Sequence, residues 1–204
     1  MKKIVFLDRD GTINVDTGYI FEIEKFQFEK NAVEGLKKLQ EQGYEFIIVT
    51  NQSGIARGKY TEEDFWKFND YVISELEKRG IKILDTYFSP YHPEKAAVEK
   101  YKRDTACRKP GTGMLEEALK KYRIDRKNSW MIGDKWADVK CGIDFGIKSI
   151  LVRTGKGGKG DEKHKPECYT YIAEDLLDSA NFIVENEASR ELRETSKHWE
   201  NKLK

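Results

Sequence analysis

The chain has 204 residues, which is enough for one sizeable α/β domain or for a small domain with an insertion. Charged residues make up 36% of it but leave a net charge of only +1, which argues against a surface that coats nucleic acid or is drawn to a membrane. Any anion site must therefore come from local clustering of basic residues.

The three cysteines, Cys107, Cys141 and Cys168, are an odd and sparse set. They predict reduced thiols in a cytoplasmic protein and not a disulfide framework. Only four consecutive apolar residues precede Asp8, too few for the core of a signal peptide. No run of about 18 apolar residues occurs, so we expect no transmembrane helix.

Five short apolar runs predict strands that are buried on both faces of a sheet. In chain order they are residues 4–7, 46–49, 83–88, 130–132 and 149–152. Residues 170–173 could add an edge strand. Segments with helical spacing of apolar residues lie between these runs, and the alternation favours a parallel sheet with right-handed crossovers.

The first helical stripe is Val33, Leu36 and Leu39, and it ends before Gly43. The second begins at Thr61 in TEED, a weak variant of the capping box. A third stripe runs from 114 to 122, and a short fourth helix ends near Gly146. A last helix is expected over 175–184. The fold class predicted is α/β, a three-layer Rossmann-like sandwich with a mostly parallel central sheet and no large cap domain.

Three long connections interrupt the alternation: residues 12–30, 89–112 and 154–166. The third contains GKGGKG and predicts a flexible loop. The first two are too short to form a separate cap domain. We therefore expect a fairly open cleft, roofed by the loops at 15–26, 55–60 and 89–105.

Polar and charged residues follow the predicted strands. In open parallel sheets, ligands bind beyond the carboxyl ends of the strands, so these residues should converge. They are Asp8 and Asp10 after the first strand, Thr50, Asn51, Gln52 and Ser53 after the second, Asp134, Lys135 and Asp138 after the fourth, and Arg108 and Lys109 before the third helix.

This mixture of groups predicts phosphoryl-transfer chemistry. Three neighbouring carboxylates need a hard divalent cation, and oxygen ligands suit Mg²⁺. A carboxylate-held cation beside arginine and lysine suits a phosphoryl group. Asp8 can then attack phosphorus as the nucleophile, and Asp10 can protonate the leaving oxygen and later activate water.

Each pattern also has an ordinary structural explanation when it is taken alone. A DxD pair is often a turn, Thr50 could cap a helix, and the Arg108–Lys109 pair could be solvated. Asp134 and Asp138 could be charges favoured at a helix N-terminus. All four patterns together, each near a strand end, favour the catalytic interpretation.

The four motifs DRDGT, VTNQSG, RKP and GDKWAD resemble those of the haloacid dehalogenase superfamily of phosphatases. The longer stretches VTNQSGIARGKYTEEDF, CRKPGTGML and LVRTGKG resemble the D-glycero-D-manno-heptose 1,7-bisphosphate 7-phosphatase family. The resemblance covers residues 3 to about 154 and weakens towards 184. It implies a phosphatase domain over 1–184 and leaves 185–204 as a polar tail, either a solvated helix or a frayed end.

The resemblance implies roles for the matching positions. Asp8 would be the nucleophile and Asp10 the proton donor, with Mg²⁺ held by Asp8, the backbone carbonyl of Asp10 and Asp134. Thr50, Arg108 and Lys109 would stabilise the phosphoryl group. The residues implied to line the substrate site are Asp16, Thr17, Gly18, Tyr19, Asn51, Gln52, Ser53 and Lys135.

Two further positions are less firmly placed by the resemblance. Asp138 would support the metal ligands through water or Lys135. Arg57 is a candidate for binding the 1-phosphate of the sugar, and an ordinary surface charge is an equal alternative.

The chain departs from the family at a loop that often carries a structural zinc. Three of the four ligand positions hold Ser89, Tyr91 and Thr105, and only Cys107 remains. Because a closed zinc site needs about four nitrogen or sulfur ligands, we expect no zinc here. The loop should then be held by packing, with Tyr91 and Tyr101 as anchors.

The function implied is Mg²⁺-dependent removal of the 7-phosphate from heptose 1,7-bisphosphate, in nucleotide-activated heptose biosynthesis. The alternatives are a histidinol-phosphate phosphatase, which usually has NQDG where this chain has NQSG, and a non-catalytic protein that binds a phosphorylated ligand. A polynucleotide 3′-phosphatase is disfavoured because the chain lacks a basic surface. The family also implies a monomer with a phosphorylated sugar as its substrate.

Overall fold

A single sheet of six parallel strands forms the centre of the molecule in the computed structural model, which describes residues 1–202, with side chains through 189 and at 192. The strand order is β3-β2-β1-β4-β5-β6. The strands are β1 (Lys3–Leu7), β2 (Tyr44–Asn51), β3 (Ile83–Ser89), β4 (Trp130–Gly133), β5 (Lys148–Val152) and β6 (Tyr171–Ala173).

Helices cover both faces of the sheet, as the alternation of patterns predicts. They are α1 (Ala32–Glu41), α2 (Ser53–Ala56), α3 (Glu62–Glu77), α4 (Gly113–Lys121), α5 (Trp136–Phe145) and α6 (Leu176–Lys202). Apolar side chains of α1, α3 and α6 pack with one face of the strands, and those of α4 and α5 pack with the other face. The three-layer fold class is thereby confirmed, with a sheet that is entirely parallel.

Local sequence signals account for the helix ends. The Thr61 hydroxyl accepts a hydrogen bond from the Asp64 backbone amide at 3.1 Å, and Asp64 accepts one from the Thr61 amide at 2.9 Å. This reciprocal capping box begins α3, as TEED predicts. At the end of α5, Gly146 has a φ of 86°, a left-handed conformation that favours glycine.

Two helices have bounds that the sequence interpretation did not define. Residues 55–60 were expected to be a loop, but Ile55 and Ala56 belong to the short helix α2 and are buried. The last helix was expected over 175–184, with the tail beyond it either a solvated helix or a frayed end, and α6 continues without a break to Lys202. Glu187 lies beyond the expected boundary at 184 and accepts a hydrogen bond from the Tyr44 hydroxyl at 2.8 Å. The first residues of the predicted tail are therefore in contact with the domain. The boundary itself stays a prediction.

The order of the strands places a crevice above β1. The chain proceeds from β1 to β2 on one side and returns to β4 on the other, so the connections diverge at the carboxyl end of β1. This divergence is where open α/β sheets bind ligands. Within residues 1–202, no helix combines the length and apolar character needed to cross a bilayer. All three cysteines, which lie in this range, are free.

Candidate active site

A cleft of about 310 Å³ opens at the carboxyl ends of β1, β2 and β4. Parallel pairing aligns Leu7 with both Ile48 and Ile132, so the segments that follow these strands reach the same level. The cleft brings together most of the site residues expected from sequence: Asp8, Asp10, Asp16, Gly18, Tyr19, Thr50, Asn51, Gln52, Ser53, Arg108, Lys109, Lys135 and Asp138.

Asp8 is buried at the base of the cleft between two lysines. Its Oδ1 lies 2.9 Å from Lys109 Nζ, and its Oδ2 lies 3.6 Å from Lys135 Nζ. Burial favours the protonated acid, but the two cations outweigh it and hold the pKa of Asp8 below its usual value. Asp8 is therefore an ionised carboxylate that faces the cleft.

Lys109 is the buried cation of the site and is held through its backbone as well as its side chain. Its Nζ bridges Asp8 and Asp138, at 2.9 and 2.7 Å. The side-chain amide of Asn51 accepts from the Lys109 amide and donates to the Lys109 carbonyl, both at 3.0 Å. Asn51, expected from sequence to contact substrate, thus positions Lys109.

Asp134 lies beneath the cleft and has no solvent exposure. Lys135 Nζ donates to its Oδ1 at 3.0 Å, and the Lys156 backbone amide donates to its Oδ2 at 2.7 Å. Burial raises the pKa of Asp134; Lys135 opposes this rise, and the charges of Asp8 and Asp138 add to it. A further positive charge close to Asp134 would therefore favour its ionised form.

The three carboxylates can supply that charge by holding a cation. Asp8, Asp134 and Asp138 each offer an oxygen, and these oxygens lie within 4.8 Å of one another. A buried set of carboxylate oxygens is the donor chemistry of Mg²⁺. Asp138 uses its own oxygens otherwise, for Lys109 and for the Lys135 backbone amide at 3.0 Å. Its contact with Lys135 therefore runs through the backbone. The oxygens of Asp8 and Asp134 are likewise paired, with lysines and the Lys156 backbone amide, so these contacts do not rank the three carboxylates as ligands.

The Asp10 carboxylate accepts hydrogen bonds from two sides at the edge of the cleft. The Arg9 guanidinium binds both of its carboxylate oxygens, with Nε at 2.9 Å and Nη2 at 3.0 Å. Gln52 Nε2 donates to Asp10 Oδ2 at 2.8 Å and to Thr50 Oγ1 at 2.8 Å. Asn14 Nδ2 adds a third donor at 3.1 Å. These bonds fix the direction in which the carboxyl group faces.

Arg108 and the exposed Tyr19 lie at the rim of the cleft, and Arg57 lies next to Tyr19. The Arg57 guanidinium lies over the Tyr19 ring, 5.7 Å from its centroid. Arg108 donates to the Tyr91 carbonyl at 3.1 Å. Burial lowers the pKa of Arg108, and so does the positive charge of Arg57, because the two guanidinium groups are close enough to repel each other. Arg57 itself does not line the cleft, and the exposed Thr17 does not either.

Several residues of the site were not expected from sequence. Tyr60 and Lys156 line the cleft, and Arg9 lies fully buried behind Asp10. The segment GKGGKG was expected to be flexible, but the Gly158 amide donates to the Asp134 carbonyl at 2.7 Å, and Thr154 Oγ1 donates to the Gly11 carbonyl at 2.8 Å. The GKG that follows LVRT, part of a stretch that resembles the family, is the sequence signal for these contacts.

Comparisons with known proteins place this geometry in a family. Residues 106–179 match a family model described as "HAD-hyrolase-like". The D-glycero-beta-D-manno-heptose-1,7-bisphosphate 7-phosphatase of Pasteurella multocida (strain Pm70) is 41% identical over 184 residues, which is 90% of this chain and 97% of the relative. The chain belongs to the heptose-1,7-bisphosphate 7-phosphatase family.

Other members of the family extend the comparison. The Photorhabdus laumondii D-glycero-alpha-D-manno-heptose-1,7-bisphosphate 7-phosphatase is 44% identical over 75% of this chain and 84% of the relative. A crystal structure of D,D-heptose 1,7-bisphosphate phosphatase from B. bronchiseptica, complexed with magnesium and phosphate, superposes with a TM-score of 0.77. It shares 25% identity and covers 90% of this chain and 99% of that one. Membership confirms that the chain is a phosphoric monoester hydrolase of the haloacid dehalogenase type.

Proposed function

We propose that the protein removes the 7-phosphate of D-glycero-D-manno-heptose 1,7-bisphosphate and leaves heptose 1-phosphate, a step in nucleotide-activated heptose biosynthesis. The observation that carries the proposal is the pairing of two different carboxylates in one cleft. Asp8 is ionised and buried between Lys109 and Lys135. Asp10 is held by Arg9 and Gln52 at the edge of the same cleft.

In the first step an Asp8 oxygen attacks phosphorus and forms an aspartyl-phosphate. The bond between phosphorus and the sugar oxygen breaks, its electron pair stays on that oxygen, and Asp10 supplies the proton. Lys109 and Lys135, already against Asp8, neutralise charge on the transferring group, and Thr50 and Arg108 line the cleft where its oxygens would lie.

In the second step Asp10, now a carboxylate, takes a proton from water, and that water attacks phosphorus of the aspartyl-phosphate. The bond between phosphorus and the Asp8 oxygen breaks, phosphate leaves, and both aspartates return to their starting states. Arg9 and Gln52 keep Asp10 in place in both steps.

The set of carboxylates fits Mg²⁺. The ion would be held by Asp8 and Asp134, together with the backbone carbonyl of Asp10 that the family resemblance implies. When bound, Mg²⁺ would offset the repulsion among the carboxylates and the charge of the phosphoryl group. The contribution of this chain is the buried position of Asp134, fixed by the Lys156 amide at 2.7 Å.

The remaining 1-phosphate would be recognised at the rim. Arg57 and Arg108 supply charge there, and Tyr19 lies against Arg57. The buried Arg57 Nε has no hydrogen-bond partner among the described residues. An ordinary surface role for Arg57 predicts that Arg57→Gln leaves KM unchanged for both a bisphosphate and a monophosphate substrate. A 1-phosphate contact predicts a rise for the bisphosphate alone.

We infer that the loop at 89–107 needs no zinc. The Tyr101 ring packs against Tyr91, with centroids 6.0 Å apart, and the Tyr101 hydroxyl donates to Glu62 at 2.5 Å. His92 Nδ1 accepts from the Glu94 and Lys95 backbone amides at 3.2 and 2.9 Å, so this nitrogen already serves the turn. Metal analysis of the purified protein tests the inference, and one zinc per chain would contradict it.

The protein is further proposed to be a cytoplasmic monomer without nucleic-acid or membrane partners. The near-zero net charge of +1 supports the absence of a strong electrostatic attraction to either. Sedimentation at several protein concentrations tests the monomer, because a dimer would give a concentration-dependent mass.

The proposed function is tested by phosphate release with Mg²⁺ from both anomers of heptose 1,7-bisphosphate and from histidinol phosphate, with Asp8→Asn as the control. We expect the higher kcat/KM on one heptose bisphosphate anomer, which would also identify the preferred anomer. Equal or greater kcat/KM on histidinol phosphate would overturn the substrate and leave the chemistry intact. No release from any substrate would support a non-catalytic binding protein.

A further inference from the structure

Tyr60 lies outside the catalytic motifs, yet two hydrogen bonds in sequence connect its hydroxyl to Asp10. The hydroxyl donates to Gln52 Oε1 at 2.5 Å, and Gln52 Nε2 donates to Asp10 Oδ2 at 2.8 Å. Gln52 is 1% exposed and Tyr60 is 7% exposed. Water therefore competes little with these bonds, and the orientation of one group constrains the next.

The hydroxyl of Tyr60 stabilises the direction of the Gln52 amide that the Asp10 carboxylate requires. Because the hydroxyl donates to the amide oxygen, the amide nitrogen must point towards Asp10 and Thr50. A flipped amide would instead present its oxygen to the Asp10 carboxylate, and two acceptors would repel. Burial and the charge of Asp10 raise the pKa of Tyr60, so the hydroxyl keeps the proton that it donates.

Packing holds the Tyr60 ring in the position that this donation requires. Phe21 stacks on it with centroids 5.2 Å apart and an interplanar angle of 26°. Gly54 allows the ring to lie against α2, because a Cβ at that position would be 2.2 Å from Tyr60 Cε1. The ring is thus fixed on one side by the loop at 15–26 and on the other by a glycine.

We propose that Tyr60 is a positioning residue, which acts through Gln52 to hold the Asp10 carboxyl group in the orientation that protonates the leaving oxygen. The proposal rests on the proposed function, in which Asp10 is the acid. Arg9 holds the carboxylate through both oxygens from behind, and Gln52 adds a contact from the side of the cleft. Loss of the Tyr60 hydroxyl should therefore leave Asp10 held by Arg9 but less precisely oriented towards the leaving oxygen.

A comparison of leaving groups tests the proposal. A sugar alkoxide needs a proton to leave, whereas p-nitrophenolate leaves without one. The ratio kcat/KM includes steps only as far as the first irreversible cleavage, so it excludes the later attack of water. For Tyr60→Phe we expect kcat/KM on heptose 1,7-bisphosphate to fall about 3- to 10-fold, through kcat more than KM, because one buried hydrogen bond is lost. On p-nitrophenyl phosphate we expect a change of less than about 2-fold.

The matched control is Tyr87→Phe, which removes a hydroxyl that donates to Asp85 at 3.0 Å outside the cleft. It should leave both ratios unchanged. Equal losses on the two substrates in Tyr60→Phe, or no loss on either, would overturn the positioning role. If the native protein cleaves p-nitrophenyl phosphate but not the heptose bisphosphate, the proposed substrate fails separately. The Tyr60 comparison then uses whichever alkyl phosphate, such as histidinol phosphate, is cleaved.

Discussion

The floor and the roof of the cleft are held in place by different forces. We define the floor as Asp8, Lys109, Asp134, Lys135 and Asp138, and the roof as the segments 15–26, 55–60 and 89–105. The floor consists of charged groups in ion pairs 2.7 to 3.6 Å long, and all of them are buried except the partly exposed Lys135. Strand ends and mutual charge therefore fix the groups that carry out the chemistry, whereas packing fixes the groups that recognise the substrate.

The roof is assembled from apolar and aromatic side chains that belong to separate segments. One cluster contains Ile55, Tyr60 and Tyr101, with Phe21 packed against it. Backbone bonds add to this packing, since the Ala56 carbonyl accepts from the amides of residues 97 and 98 at 2.8 and 2.9 Å. If this division is right, floor variants should impair every substrate, and roof variants should impair the sugar substrate selectively.

The largest effect is expected from Asp8→Asn. An asparagine of nearly the same shape cannot attack phosphorus, so kcat should fall by at least about 10⁴-fold on every substrate. Phosphate release measures the loss, and circular dichroism checks that the variant is folded. Residual activity within about 100-fold of the native protein would mean that another group is the nucleophile.

Lys109→Met should lower both the stability and the activity of the protein. Removing this buried cation leaves Asp8 and Asp138 without their shared partner, which should lower the free energy of unfolding by about 3 to 5 kcal/mol. Urea denaturation measures this change. The control is Lys121→Met, which breaks an exposed pair with Asp85 and should lower the free energy of unfolding far less than Lys109→Met. Equal costs for the two variants would contradict a floor held by buried charge.

Gly155→Ala should disturb the floor through the metal site. A Cβ at this position would lie 2.5 Å from Asp134 Oδ2. We expect the Kd for Mg²⁺ to rise about 10-fold, because the added methyl group would displace an oxygen of Asp134, one of the proposed ligands. Gly160→Ala is the control in the same loop, since Gly160 also has a positive φ but a Cβ there would meet open space. Calorimetry with Mg²⁺ should separate a contact effect from backbone strain, and equal shifts would indicate strain alone.

Tyr101→Ala should weaken the substrate recognition that depends on the roof and leave the chemistry at the floor unchanged. Loss of this ring loosens the loop at 89–105, so KM for the heptose bisphosphate should rise about 5-fold, equivalent to ~1 kcal/mol of binding. The kcat/KM on p-nitrophenyl phosphate should stay within about 2-fold. Tyr171→Ala, which removes a ring stacked on Phe182 away from the cleft, should change neither. A fall in kcat/KM on both substrates would show that the roof also supports the chemistry.

The floor could be predicted from the sequence because its geometry follows from the sheet. Once residues 4–7 and 130–132 are recognised as parallel strands, Asp8 and Asp134 must emerge at the same edge. The same logic predicted Thr50, and the motif CRKP predicted Lys109. What it did not reveal was that Asn51 binds the Lys109 backbone and that Asp138 pairs with Lys109.

The roof could be predicted only as a set of loops. Tyr60, Phe21 and Tyr101 lie far apart in sequence, and their contacts depend on how three irregular segments meet. No periodic pattern marks such contacts. The anchoring of Tyr91 and Tyr101 was expected, but the bond from Tyr101 to Glu62 and the connection of Tyr60 to Gln52 were not.

The most direct test of the proposed two-step mechanism is a burst measurement with Asp10→Asn and p-nitrophenyl phosphate. This ester needs no proton to leave, so Asp8 should still be phosphorylated, but without the Asp10 carboxylate water should not be activated. We predict a rapid release of about one p-nitrophenolate per chain, followed by a far slower phase, and no release when Asp8→Asn is added. Steady release without a burst, at a rate near that of the native protein, would contradict an aspartyl-phosphate that forms on Asp8 and is cleared by Asp10.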